Sequence, residues 1–190
     1  MRNELIAFLE LFTDISSEDQ ALMEAAFAPK SFAEGEVLFS GGYVCREMFF
    51  VRRGVLKIVV TNEKGTRVLH YFLRQNQFCT ILESFLNESV AEEDIIAACR
   101  CEVFSISKAA LLDLYSKIPY LERLIDQIRQ QALLDKIRIR NTYLGHDAQT
   151  RYKLFLMQQS DIALQVPLSD VASYLEITQQ SLSRIRKNLR

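Results

Sequence analysis

Between residues 32 and 106 the apolar residues come in short runs that break before a helix can form. This punctuation limits the fold more than any other feature of the chain. EVLFS, EMFFVRR, VLKIVVT, TRVLHYFL and CEVFSIS are rich in β-branched and aromatic side chains. Gly35, the Gly41-Gly42 pair, Gly54 and the loop Asn62-Glu63-Lys64-Gly65 separate them with turn chemistry. In VLKIVVT, alternation puts Leu56, Ile58 and Val60 on an apolar face and Val55, Lys57, Val59 and Thr61 on the other. Strands at this spacing, without helices between them, predict a small antiparallel barrel or jelly roll.

Helical patterns flank the strands, making the expected class α+β. Ser17 followed by Gln20, ahead of Leu22, Met23 and Ala26, reads as a capping-box start, and Pro29 closes that short helix. Ser107 caps KAALLDLYSKI, which stops before Pro119. Residues 120–144 form one long helical pattern in which Leu121, Ile125, Ile128, Ala132 and Ile139 make a heptad-like stripe, broken at Asp135 and widened by Leu124, Leu133 and Ile137. Such a helix leaves an apolar seam that something must cover. Packing on its own barrel is one solution; a two-stranded coiled coil with a second copy of the chain is the one we favour. Gly145-His146-Asp147 reads as a hinge, followed by the apolar helix TRYKLFLMQQS with Arg151 and Lys153. The expected units are an effector barrel at 1–118, a dimerisation helix at 119–145 and a small all-α module at 146–190.

Composition narrows the partners. The formal charge of the chain is −1 and the pI about 6.2, so any contact with a polyanion has to be local. No stretch reaches the roughly 18 apolar residues of a membrane span. Glu4 and Glu10 make MRNELIAFLELF a poor signal peptide. Cys45, Cys79, Cys99 and Cys101 contain no C-x-x-C pair and read as reduced thiols of a cytoplasmic protein, small apolar fillers with Cys99 and Cys101 on one side of a strand. A metal-dependent barrel enzyme needs clustered His and carboxylate ligands, yet His70 and His146 fall in different modules. No nucleophile elbow, phosphate loop or zinc spacing appears. The expectation is a non-enzyme without metal or cofactor.

The last thirteen residues carry Arg184, Arg186, Lys187 and Arg190 and no acid. PLSDVASYLEITQQSLSRIRKNLR divides into a helix at 169–175, with Val171, Ala172 and Leu175 inward, and a second capped by Thr178, with Leu182, Ile185 and Leu189 as its buried stripe. Ala172 falls where two crossing helices approach most closely. Gln179, Gln180, Ser181, Ser183, Arg184, Arg186 and Lys187 remain on the exposed side. Glutamine pairs with adenine, arginine with guanine, and serine with bases or phosphates; Arg186, Lys187 and Arg190 suit phosphates. Two helices in this arrangement predict a helix-turn-helix on double-stranded DNA.

From residue 32 to 190 the chain resembles the Crp/Fnr transcription regulators. In the barrel the resemblance rests on Gly42, Phe49-Phe50-Val51, Gly54, Gly65, Tyr71-Phe72-Leu73, Phe78 and CEVFSIS. In the C-terminal module it rests on Leu168, Val171, Ala172, Leu175, Thr178, Leu182, Arg184 and Ile185, with SLSRIRK similar to members common in the Bacteroidetes. The resemblance implies a cyclic-nucleotide-binding-type barrel, a homodimer, an inverted-repeat DNA site, RNA polymerase as a further partner, and Gln179, Gln180, Ser181 and Arg184 as the base-facing set. Two departures stand out. Glu176 occupies a turn position where the family usually has glycine, and with the given sequence ending soon after Leu189 the β-hairpin wing of many members is not expected.

Cyclic-nucleotide-binding members hold the phosphate with a Gly-Glu helix start and a later arginine. Here Thr80-Ile81, followed by Leu82 and Glu83, occupies the first position and Ala91-Glu92 the second. Glu83, Glu88, Glu92, Glu93 and Asp94 follow without a Lys or Arg before Arg100. A buried phosphate needs donors and positive charge, so this degenerate pocket is not expected to take cyclic AMP or cyclic GMP. The barrel is either packed shut or holds an uncharged or cationic effector. Iron–sulfur sensing lacks an N-terminal cysteine cluster, and His70, the one barrel histidine, reads as an ordinary strand residue rather than a haem ligand. A ligand-sensing module acting through protein contacts is the competing function.

Overall fold

The computed structural model describes residues 3–63 and 65–189. Lys64 of the expected turn and Arg190 of the expected phosphate-contacting set lie outside the described residues. Two helices, α1 (Glu4–Leu9) and α2 (Ser17–Ala26), lead into eight strands: β1 (Ala28–Phe32), β2 (Val37–Phe39), β3 (Glu47–Arg53), β4 (Leu56–Thr61), β5 (Arg67–Leu73), β6 (Phe78–Cys79), β7 (Glu93–Ala97) and β8 (Cys101–Ser107), with α3 (Leu82–Asn87) between β6 and β7. The strands pair antiparallel in two sheets, ordered β1-β8-β3-β6 and β2-β7-β4-β5, the jelly roll the strand spacing predicts. Four of the five runs named above are strands nearly end to end, and EVLFS forms the short β2.

The differences have local causes. Ser16, not Ser17, caps α2, accepting a hydrogen bond from the Asp19 amide at 3.1 Å. Pro29 lies inside β1 rather than closing a helix; this is tolerated because β1 is an edge strand paired only with β8. Cys99 precedes β8 in a bend, where its sulfur accepts from the Val55 amide at 3.3 Å, so it does not share a strand face with Cys101. Burial pushes the Cys79 and Cys101 thiols up to about 12, consistent with their packing as small apolar groups. Gly54 has φ +87°, and a Cβ there would lie 2.4 Å from the Arg100 carbonyl oxygen, so this turn admits glycine on two counts.

The barrel interior is packed with Phe49, Val51, Leu56, Ile58, Leu73, Ile95 and Val103, all buried. A second cluster lies outside the other sheet, where Met48, Phe50, Phe104 and Ile106 meet α1, α2, α4 (Lys108–Lys117) and the first half of α5 (Leu121–Tyr143). Ser107 caps α4, accepting from the Ala110 amide at 3.2 Å.

The third cluster joins the barrel to the C-terminal helices α6 (Ala148–Gln158), α7 (Ser160–Ala163), α8 (Leu168–Tyr174) and α9 (Gln179–Asn188). Here the alternation read in VLKIVVT needs amending. Val55 is fully buried and Lys57 largely so, because this face of β4 receives α8 instead of water; a β-bulge after Ile58 then shifts the register. Lys57 Nζ donates to Asp170 Oδ2 at 2.7 Å, the Leu69 amide donates to Ser173 Oγ at 3.1 Å, and Arg74 pairs with Asp161 at 2.8 Å. The Tyr174 ring stands 5.0 Å from Phe72 and 5.8 Å from Phe155, centroid to centroid. Buried Gln159 donates to the hydroxyls of both Tyr143 and Tyr174, at 2.8 and 3.3 Å.

Val171, Ala172 and Leu175 are buried as expected, and Thr178 caps α9 by accepting from the Ser181 amide at 3.1 Å. Between them Glu176 has φ +55°, the left-handed conformation the glycine of related sequences would suit. The Ile177 amide closes the turn on the Ala172 carbonyl at 3.0 Å.

Two outcomes follow. Glu176→Gly should raise stability by about 1 kcal/mol, read as a melting temperature higher by about 2–4 °C; an unchanged melt would mean the turn is unstrained. Asp170→Ala leaves Lys57 buried without its partner and should lower the urea-unfolding free energy by about 1.5–3 kcal/mol, while a Lys57→Met, Asp170→Leu double variant should regain most of it.

Candidate nucleic-acid interface

The surface of α9 is set by which of its residues the module consumes. Leu182 is fully buried and Ile185 partly so, packed against α6 and α8. Gln180, Arg184 and Lys187 follow one another at helical spacing on the opposite side, and all three are exposed. Gln179 and Ser181 are exposed beside the N-terminal end, Arg186 is exposed on the flank, and Ser183 is half-buried. Leu189, expected in the buried stripe, is 38% exposed and lies past the last residue of α9, as its C-cap. Among the described residues none of Arg184, Arg186 or Lys187 pairs with a carboxylate. These cations are free for an external anion, on a helix held rigid by its cap and by α8.

The predicted dimerisation residues divide. Leu121, Ile125 and Ile128 are buried under the chain's own barrel sheet with Leu124, so the first half of the stripe serves the intramolecular core and is not available as a seam. Ala132 and Ile139 are half-buried. Farther along α5 the exposed apolar residues are Leu133, Leu134 and Ile137, each about half exposed. Beside Leu133 and Ala132 runs an apolar groove of about 270 Å³ with Phe8, Phe12, Phe78 and Leu82 in its walls. Sequence spacing alone could not show this burial, because it cannot tell which neighbour covers a stripe.

At the site where relatives of this barrel type would hold a phosphate, α3 starts at Leu82 with no side-chain cap on Ile81. Thr80 Oγ1 is committed inward, donating to the Glu47 carbonyl at 2.9 Å, and Ile81 is buried in the barrel interior. Ala91 is pinned by backbone pairing with Tyr43 and Gly42 and brings no charge. A Cβ on Gly41 would lie 2.7 Å from the Glu92 carbonyl oxygen, so this loop lies directly on the strand entry. Ile81, Glu83, Ala91, Glu92 and Glu93 line an open depression with His70, while Leu82 is 38% exposed outside it. Two of the five carboxylates have cation partners, contrary to the reading along the chain. Glu88 pairs with Lys108 at 3.0 Å, which holds its carboxyl below the usual range, and Asp94 pairs with Arg67 and accepts from the Gly41 amide. Both cations come from outside the segment, where sequence proximity could not find them.

Residues 29–117 match the family model of the cyclic nucleotide-binding domain. No curated protein matches the chain in sequence. Among solved structures, the chain superposes on the c-di-GMP-responsive global regulator CLP of Xanthomonas campestris with a TM-score of 0.72 at 17% identity, covering 92% of this chain and 91% of that one. FixK2 of Bradyrhizobium japonicum gives 0.70 at 15% identity, covering 86% and 84%. TTHA1359, a CRP/FNR-family transcriptional regulator of Thermus thermophilus, gives 0.66 at 16%, covering 85% of each. Residues 29–117 are thus similar to the cyclic nucleotide-binding domain, and the chain has, over nearly its whole length, the fold of the Crp/Fnr transcription regulators.

Proposed function

We propose that this protein is a homodimeric, sequence-specific DNA-binding transcription regulator in which α9 reads the major groove. The observation that carries the reading is the exposed, acid-free face of α9, where Gln180, Arg184 and Lys187 line up opposite buried Leu182. Gln179, Gln180, Ser181 and Arg184 are the base-reading set, while Arg186 and Lys187 hold phosphates; half-buried Ser183 supports the edge. Two copies join through Leu133, Leu134 and Ile137, with the neighbouring groove between Phe8 and Phe78 receiving part of the second helix. Pairing sets the two α9 helices about 34 Å apart, the spacing of successive major grooves on an inverted repeat.

The sensor domain has lost the means to bind a cyclic phosphate. Glu83, Glu92 and Glu93 face the depression with no Lys or Arg among its lining residues. Carboxylates in that position repel an anion and offer it no donor. Among the described residues no group of three or more His, Cys, Asp or Glu side chains is placed to hold a metal ion. No described helix is long and apolar enough to cross a membrane.

Enrichment of random duplexes on the purified protein should yield an inverted repeat, with affinity falling steeply and linearly on a log–log plot as salt rises. Arg184→Ala should cost about 1–3 kcal/mol and relax the preference at one base position in each half-site. Full affinity and unchanged preference in that variant would remove α9 from recognition. Ile137→Glu should convert the dimer to monomer in sedimentation and abolish tight binding; a variant still dimeric would move the seam elsewhere.

A further inference from the structure

A cavity of about 310 Å³ lies where the barrel, the long helix and the C-terminal module meet. Its walls come from β5 (Val68 to Tyr71), the end of α5 (Lys136, Arg140, Tyr143), Arg151 of α6, and the α8 end and turn (Tyr174, Glu176). Its charge is lopsided: the three cations Lys136, Arg140 and Arg151 face a single carboxylate, Glu176. Among the described residues, none of the three cations forms a salt bridge.

Two of them are also short of solvent. Lys136 Nζ stands 4.8 Å from the centroid of the Tyr71 ring, and its burial pulls the ammonium pKa down. Arg151 Nε is buried with no hydrogen-bond partner, the one such side-chain atom among the described residues. A desolvated cation and an orphaned donor on one cavity each cost stability unless an acceptor comes from outside. The hydroxyls of Tyr143 and Tyr174 accept from Gln159 and so fix the wall between them.

We propose that this cavity is a binding site for a small phosphate-bearing molecule, its dianionic phosphate held by Lys136, Arg140 and Arg151. Two guanidinium groups and an ammonium match the charge and acceptor count of a phosphate dianion better than a single carboxylate. The volume suits a ligand of a few carbons beyond the phosphate. Such a ligand touches all three parts of the chain at once, so occupancy favours the arrangement in which α8 lies on β5. The site is separate from the carboxylate-lined depression, from which only His70 is shared. Binding itself stands on the cavity alone; its regulatory consequence rests on the proposed DNA-binding function.

The test is calorimetric titration of the full chain, without DNA, using inorganic phosphate and glycerol 3-phosphate at constant ionic strength, with succinate as the dicarboxylate comparison. Saturable binding at one site per chain is expected, weakened about tenfold or more by Lys136→Met and by Arg151→Ala, and unchanged by Arg123→Ala, an exposed cation near the start of α5 that does not line the cavity. Urea midpoints establish that each variant is folded. Absence of saturable phosphate binding, or binding that both cavity variants retain, overturns the site. Tighter binding of succinate than of either phosphate overturns the ligand class. Failure of DNA binding leaves this titration unaffected, so the two readings fail separately.

Discussion

The outer face of β4 and β5 decides the arrangement of this molecule. Val55, Leu69 and Phe72 turn away from the barrel interior and would be exposed apolar surface on an isolated jelly roll. Tyr174, Phe155 and Ile162 cover them, and the Lys57–Asp170 pair and the Ser173 hydroxyl anchor the edge. Burying several large side chains across one contact contributes about 1.5–3 kcal/mol for each that goes fully inside. The polar anchors add direction, since a carboxylate and a hydroxyl can meet their partners in one orientation only. Everything on the C-terminal side of the hinge inherits its position from this contact.

That inheritance explains how the functional surfaces are distributed. With α8 turned toward the barrel, Leu182 packs beneath α9 and Gln180, Arg184 and Lys187 are left facing out. The end of α5 is trapped between β5 and the turn at Glu176, which closes the cationic cavity from three sides. The long helix meanwhile performs two tasks along its length. Its first turns complete the barrel's outer core through Leu121, Leu124, Ile125 and Ile128, whereas Leu133, Leu134 and Ile137 stay about half exposed, on the surface the proposed assembly uses. A single amphipathic stripe is thus divided between folding and the proposed assembly.

Legibility in the sequence followed the range of the interaction concerned. Caps at Ser107 and Thr178 were readable because each is decided within a few residues, whereas the left-handed turn at Glu176 was pointed to by the family resemblance. The main strands were readable because turn residues bracket β-branched runs. The strands that went unread, β1 with Pro29, two-residue β6 and β7 with its acidic start, have weak local signals and owe their existence to neighbours already in the sheet. Cation partners for Glu88 and Asp94 were invisible for the same reason, since Lys108 and Arg67 lie on other elements.

Sequence alone determined the architecture, the two-helix C-terminal module and the composition of the α9 surface. Those follow from hydrophobic period, turn chemistry and capping, all local. Tertiary structure alone decided which half of the α5 stripe is buried, that the polar-looking face of β4 is an interface, and that Lys136, Arg140 and Arg151 share a cavity with one carboxylate. The physical reason is that burial and electrostatic environment depend on what packs opposite a residue, and that neighbour lies tens of residues away along the chain.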